Sequence, residues 1–424
     1  MGRFRPPGDK SISHRSLFLA TLAHGESLVS GLNPGVDVAT SRSVLTELGA
    51  VIRGTANGFA IQGTGGAFRV PDTDLDCGNS GTTMRLLIGM LAGRPGSFRL
   101  IGDDSLSRRP MGRVAVPLAS MGGSIELSDG DRPPVRVRGS RLTPPAMPEM
   151  VRSAQVKSAL ILAGLVARGE TTLVESVDSR DHTERLLTLF GIQLKKQGRT
   201  ITINGPAELR GATVDVPGDP SAAAFFLAAA AMLPGSEVTA TGITVNPTRR
   251  SAIDVLARMG AVVTTAAGSH RPDHTHDTTG EPVADVTVAA GTLDGTTIEG
   301  REAALAVDEL PILAVAGCCA TGTTIIRDAA ELRVKESDRI GGLARGLIEL
   351  GADVTEQPDG LLIRGGGPGF AFTGGTVDSL GDHRLAMAFR IAALKATGPV
   401  RVIGAECVAI SDPAFEETLT GLIA

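Results

Sequence analysis

The chain has 424 residues, 42% hydrophobic and 21% charged, with a formal net charge of −5. That length exceeds one ordinary domain, and the composition fits a soluble globular protein. The acidic balance argues against a nucleic-acid backbone binder, and the absence of Trp and Tyr removes aromatic platforms for bases or sugars. A negatively charged ligand must therefore be held by local cations.

The first residues, Met1-Gly2-Arg3-Phe4-Arg5-Pro6, carry no apolar signal region. Gly8-Asp9-Lys10-Ser11-Ile12-Ser13-His14-Arg15 then sets a Gly turn, a Lys, two hydroxyls and an Arg before the apolar run Leu17–Leu22. This spacing predicts a helix start, where free N–H groups and the helix dipole favour anions. The motif returns without its lysine as Pro217-Gly218-Asp219-Pro220-Ser221, which suggests a duplicated scaffold. Further helix openings are expected at Asn79-Ser80-Gly81-Thr82, Ser153-Ala154-Gln155, Asp308-Glu309 and Asp382-His383-Arg384. The six openings recur roughly every seventy residues.

Helices are expected to end in Gly and run straight into strands at Gly49, Gly122, Gly191, Gly260 and Gly351. Short alternating strands follow, such as Ile201-Thr202-Ile203 and Leu361-Leu362-Ile363. The pattern is a helix–strand–helix–strand–strand unit, repeated three times on each side of Pro217-Gly218. The fourth unit carries a polar excess, Ala266 to Pro282, and the sixth lacks its final hairpin. The first helix of each unit is almost wholly apolar after its opening (Ser158–Ala167, Pro311–Ala320), so burial on all sides is expected. The longest apolar run, Ala222–Leu233, is too short to span a bilayer. Cys77, Cys318, Cys319 and Cys407 lack CxxC spacing and are expected to be reduced, mostly buried thiols in a cytoplasmic protein.

The openings carry the chemistry. Lys10, Arg15, Arg109, Arg180, Lys335, Arg339 and Arg384 are the cations at or near them. One close ion pair is worth about 4 kcal/mol at an effective dielectric near 20, so several could hold phosphates and carboxylates together. Ser11, Ser153, Gln155 and Ser179 add neutral donors, and Gly81 leaves room beside the main chain. Asp308 and Glu309 are each either a helix cap or a base. Glu336 is either an acid–base group or part of a surface network with Arg333 and Arg339. His182 and His383 could each donate to a ligand. His270, His274 and His276 with Asp273 and Asp277 read as a solvated loop rather than a metal site.

Gly8–Arg15, Gly78-Asn79-Ser80-Gly81-Thr82-Thr83-Met84-Arg85, Arg109-Pro110-Met111, Ser153–Ser158, Arg180-Asp181-His182-Thr183, Asp308-Glu309-Leu310-Pro311, Arg333–Arg339 and Asp382-His383-Arg384 together resemble the 5-enolpyruvylshikimate-3-phosphate synthase family, over nearly the whole chain and in its order. The resemblance implies an α/β protein of two inverse α/β domains, each of three βαβαββ units around buried helices, closing on the substrates. It implies a first domain at 9–218 and a discontinuous second one at 1–8 plus 219–424. It implies transfer of the enolpyruvyl group of phosphoenolpyruvate to the 5-hydroxyl of shikimate 3-phosphate, with loss of phosphate, in the shikimate pathway. The expected partners are those two small molecules, with no cofactor, no metal, no nucleic acid and no membrane, and the protein is expected to be a cytoplasmic monomer.

Roles carry over by motif. Ser11 and Arg15 are expected at the shikimate carboxylate, and Ser153, Ala154, Gln155 and Ser179 at its phosphate. Lys335 and Asp308 are expected at the 5-hydroxyl, Asp308 as base. Lys10, Gly81, Arg109, Arg180, Arg339 and Arg384 are expected to bind phosphoenolpyruvate, and Glu336 with Lys10 to protonate its methylene carbon.

Ser153–Lys157 and Arg180–Thr183 resemble the family's second class, often glyphosate-tolerant, while Gly81 is the small residue of sensitive members. A late Lys of the first class falls at Ile410, with Arg180 as a substitute charge. The short segment before Lys10 suggests an incomplete hairpin. Alternative readings are a UDP-N-acetylglucosamine enolpyruvyl transferase and a non-catalytic phosphosugar-binding protein. The first resembles an Ala-Lys-Asn start and a loop Cys, both missing here.

Overall fold

The computed structural model describes residues 2–267 and 280–423. They form two compact units. One contains residues 10–216 with Gly280 and Glu281; the other contains residues 2–9, 217–267 and 282–423.

The first unit is built on three buried helices, Lys10–Leu22, Gly81–Leu91 and Ala154–Gly164. Two of their openings are capped as the polar segments suggest. Ser80 accepts from the Thr83 N–H and Ser153 from the Gln155 N–H, each satisfying a donor that the helix itself cannot pair. Gly89 lets two of these helices touch, because a Cβ there would lie 2.2 Å from the Ala159 carbonyl oxygen. The second unit repeats the plan with Pro220–Met232, Leu310–Cys318 and His383–Ala393. Every residue of Pro220–Met232 and of Leu310–Cys318 is buried, and their small side chains allow close helix contact. Asp219 and Asp382 cap their helices through the N–H groups of Ser221 and Arg384.

The five glycines at helix exits all have positive φ, between 84° and 109°, a region where a Cβ is strained. Each turns the chain from an outer helix toward a hairpin. The resulting sheets share one connection: a parallel edge strand, the strand after the buried helix, then the hairpin. Leu75–Asp76, Ser97–Ile101, Arg132–Arg138 and Ser124–Ser128 lie in that order. Among the described residues five sheets are four-stranded. The sixth pairs only Gly375–Asp378 with Val400–Ile403, in keeping with the missing hairpin.

Two edge strands are exchanged along the chain. Gly2–Phe4 precedes the Lys10 helix but pairs in parallel with Val238–Ala240 of the other unit's first sheet. Thr213–Asp215 precedes the Pro220 helix but pairs with Leu28–Ser30. The chain thus passes from unit to unit after Asp9 and again after Val216. The incomplete hairpin suggested by the short first segment does not arise, since three residues suffice to fill the edge of a four-stranded sheet. The fourth unit's polar excess begins later than expected, because strand Val262–Ala267 takes in Ala266 and Ala267. His270, His274, His276, Asp273 and Asp277 lie outside the described residues. No helix among the described residues is long and apolar enough to cross a membrane.

Candidate active site

In the first unit the openings of the three buried helices are linked to one another. Arg15 sits inside the Lys10 helix, 3% exposed, and a charge so placed needs partners. Its Nε donates to Thr183 Oγ1 at 2.8 Å, Nη1 to the Ser11 carbonyl at 2.9 Å and Nη2 to Ser158 Oγ at 2.8 Å. Ser11 Oγ also accepts from Arg180 Nη1 at 3.2 Å. Lys10 Nζ lies 3.2 Å from Asp37 Oδ2. The Ala154 carbonyl accepts from Ser158 Oγ at 2.7 Å. Next to it, Gln155 donates to Thr82 Oγ1 at 2.8 Å and accepts from Arg85 Nη1. Arg109 donates to Asn79 Oδ1 at 2.7 Å and to Ser105 Oγ at 3.2 Å. Gly81 makes room for two guanidinium groups, since a Cβ there would meet Arg109 Nη1 at 3.2 Å and Arg85 Nη1 at 3.3 Å. The structure therefore brings Lys10, Ser11, Arg15, Gly81, Arg109, Ser153, Ala154, Gln155 and Arg180 to the ends of packed helices. Ser179 lies at the edge of this group, its hydroxyl donating to Glu175 at 2.6 Å.

In the second unit the chemistry gathers around Arg339, which is 1% exposed. Its Nε donates to Asp382 Oδ2 at 2.7 Å, Nη2 to Glu336 Oε2 at 2.5 Å and Nη1 to Asp308 Oδ1 at 3.4 Å. Burial alone would pull its pKa down, but attraction from Asp382, Glu336 and Asp308 outweighs that, so the guanidinium titrates above its ordinary value. Lys335 Nζ stands 3.7 Å from Asp308 Oδ1. Arg384 opens the His383 helix, its guanidinium carbon 5.9 Å from the Phe225 ring centroid. Two carboxylates, Asp308 and Glu336, are thus fixed by one buried cation, the former also facing a lysine. Such groups can take and return protons beside an anionic ligand.

The acidic groups differ in their surroundings. Glu309 occupies the N-cap position of the Leu310 helix without a side-chain cap bond; Ser221 donates to it, and Arg249 Nη1 lies 3.6 Å away. Asp308 faces Lys335 and Arg339 instead. The surface network suggested for Glu336 forms only in part. Arg339 joins it, but Arg333 turns to Asp338 and Glu356 because residues 335–338 are not helical. His182 does not face outward as a ready donor: it is fully buried with Nδ1 2.7 Å from Glu281 Oε1. Asp181, His182 and Glu281 form a group whose donor atoms lie within 4.8 Å of one another, with Asp181 also held by Arg185 at 3.0 Å. Cys77, Cys318 and Cys319 are buried and free, and Cys407 is half-buried. Burial pushes the Cys319 and Cys407 thiols up to about 11.

Several residues escaped sequence reasoning. Arg249, 2% exposed, bridges Asp9 at 3.0 Å, Asp219 at 2.8 Å and Ser221 at 2.9 Å, tying the first chain segment to the Pro220 helix. Lys157 pairs with Glu175 and Glu184. Arg85, Asp37 and Asp412 were also missed; Arg85 and Lys157 lie in the Gly78–Arg85 and Ser153–Ser158 motifs, which are the signal for them.

A sequence model of the family described as EPSP synthase (3-phosphoshikimate 1-carboxyvinyltransferase) matches residues 1–419. The 3-phosphoshikimate 1-carboxyvinyltransferase of Synechocystis sp. is 49% identical over 424 residues, covering 99% of this chain and 93% of its own. That of Gloeobacter violaceus is 47% identical over 422 residues, covering 99% of this chain and 95% of its own. The solved EPSP synthase of Acinetobacter baumannii is 40% identical and superposes with a TM-score of 0.85, covering 99% of this chain and 95% of that one. With its repeated fold and these two clusters of cations and carboxylates, the chain belongs to the EPSP synthase family, the 3-phosphoshikimate 1-carboxyvinyltransferases.

Proposed function

We propose that this chain transfers the enolpyruvyl group of phosphoenolpyruvate to the 5-hydroxyl of shikimate 3-phosphate and releases phosphate. The family membership supports the reaction, and the residues support a division of labour. Ser11 and Arg15 hold the shikimate carboxylate, and Ser153, Ala154, Gln155 and Ser179 its phosphate. Lys10, Gly81, Arg109, Arg180, Arg339 and Arg384 bind phosphoenolpyruvate. The single observation that carries this reading is Arg339, which gathers Asp308, Glu336 and Asp382 about one buried charge.

Glu336, aided by Lys10, gives a proton to the methylene carbon of phosphoenolpyruvate. The neighbouring carbon becomes electron-poor, and the 5-hydroxyl attacks it while Asp308 takes the hydroxyl proton. Lys335 faces Asp308 and orients it for that task. The tetrahedral intermediate then loses phosphate, which carries off the proton taken by Asp308, as a methyl proton returns to Glu336, restoring the double bond. Cations at helix ends stabilise the departing phosphate.

In this reading the two units act as the two domains of the enzyme, joined at Asp9–Lys10 and Val216–Pro217. We take the protein to act as a monomer, and its free, mostly buried thiols suit the cytoplasm. Phosphate release, measured with each substrate omitted in turn, tests the reaction. Release only with both present is expected; release from phosphoenolpyruvate alone would overturn the assignment.

A further inference from the structure

We propose that Lys157 is a positioning residue for shikimate 3-phosphate, acting through Glu175 and Glu184 on the segment Ser179–Thr183. The proposal rests on the reading of Ser179, Arg180 and Arg15 as ligand-binding groups.

Lys157 lies one turn into the Ala154 helix, with its side chain wholly buried. A lysine in an apolar helix interior must be matched by acceptors. Its Nζ stands 2.9 Å from Glu175 Oε1, 2.8 Å from Glu184 Oε1 and 3.4 Å from the Ser179 carbonyl. The contact with Glu184 is a close ion pair rather than a well-aligned hydrogen bond. The three partners bracket the segment: Glu175 precedes it, Ser179 begins it, and Glu184 follows it.

The Glu175 oxygen that meets Lys157 also accepts from the Ser179 backbone N–H at 3.1 Å and from the Ser179 hydroxyl at 2.6 Å. Ser179 is therefore held at two atoms by a carboxylate that is itself held by Lys157. With its proton committed to Glu175, the hydroxyl presents only its oxygen. An anionic phosphate needs that proton, so binding must draw the hydroxyl away from Glu175. Lys157 makes this possible, because it and the Ser179 N–H continue to satisfy Glu175. On the other side, Glu184 lies one residue after Thr183, whose hydroxyl takes Arg15 Nε. Lys157 thereby sets both the phosphate donor Ser179 and the seat of Arg15. Lys196 Nζ, half-exposed, lies 3.7 Å from Glu175 and 4.0 Å from Glu184, so the cluster holds two cations and two carboxylates.

Lys157→Met alone leaves an excess buried carboxylate and could unfold the chain. The paired change Lys157→Met with Glu184→Gln removes one charge of each sign and keeps Lys196 beside Glu175. We expect this protein to keep its melting temperature within a few degrees, to show KM for shikimate 3-phosphate raised about tenfold, and to keep KM for phosphoenolpyruvate within about twofold. An unchanged KM for shikimate 3-phosphate, or an equal rise for both substrates, overturns the proposal. Glu175→Gln provides a second test. It should raise KM for shikimate 3-phosphate in the parent but add less than about twofold in a Ser179→Ala background. Full additivity there also overturns the proposal. The unaltered protein, assayed in parallel, separates the two readings, since its failure to turn over shikimate 3-phosphate would refute the assigned reaction instead.

Discussion

Glu336 Oε2 lies 2.5 Å from Arg339 Nη2, and the guanidinium it meets is buried and shared with Asp382 and Asp308. This geometry holds the Glu336 carboxylate in one place. Glu336→Gln keeps the shape and an acceptor for Arg339 but cannot exchange the proton. Turnover should fall by about 10²–10⁴-fold, with binding of both substrates within a few-fold of the parent. Steady-state kinetics with calorimetric binding checks this; retained turnover would remove Glu336 from the mechanism.

Arg339 itself carries stability. Replacing it with Met leaves Asp382, fully buried, without its strongest partner and releases Glu336 and Asp308. Breaking a buried ion pair from one side costs about 3–5 kcal/mol. Arg339→Met should therefore lower the unfolding free energy by that order in denaturant titration, as well as abolish activity. A stability change near zero would mean that the carboxylates find other partners.

Gly81 keeps space for two cations. Its backbone does not need a positive φ, so Ala fits the helix and adds up to about 1 kcal/mol of helix propensity. The new methyl would sit 3.2 Å from Arg109 Nη1 and 3.3 Å from Arg85 Nη1, and both must yield by a few tenths of an ångström. Gly81→Ala should keep or raise the melting temperature while raising KM for phosphoenolpyruvate about tenfold, a loss of about 1.4 kcal/mol. An unchanged KM would place Arg109 outside the binding group.

Asp412, 2% exposed, gives a pH signature. Burial pushes its carboxyl up to about 6 from 3.8; Asp219 adds to this, while the Ala414 N–H and Arg384 oppose it. The folded protein thus holds this proton up to about pH 6, whereas the unfolded chain releases it near pH 4. Between those values the folded state binds more protons, so stability falls as pH rises, and the loss is complete above about pH 6. The displacement corresponds to about 3 kcal/mol. Asp412→Asn, which never charges, should melt higher than the parent at pH 7.5 and match it at pH 3.5. A lower melting temperature at pH 7.5 would contradict this.

The repeat was legible because its punctuation is physical. Gly49, Gly122, Gly191, Gly260 and Gly351 end helices alike, and Ser80, Ser153, Asp219 and Asp382 cap helices alike, so their recurrence showed the units. The cations at the openings were legible for a related reason: Lys10, Arg109 and Arg384 neighbour turn formers or apolar runs where a charge needs a purpose. The pairing of Lys157 was not, since its partners Glu175 and Glu184 come from a later strand and helix, and no local pattern joins them to it. Arg249 likewise follows Asn246-Pro247-Thr248, an ordinary turn, and only folding brings Asp9 to it. The exchanged edge strands are three residues each, too short for alternation to show.

Proton transfer to carbon is the central claim, and solvent deuterium reports it directly. In D₂O, protonation of phosphoenolpyruvate by Glu336 makes a methyl group carrying one deuterium, which loses one of its three hydrogens when phosphate leaves. The product from the unaltered protein should therefore carry deuterium in its methylene group, read by NMR or mass spectrometry. Product formed with an undeuterated methylene would contradict the account.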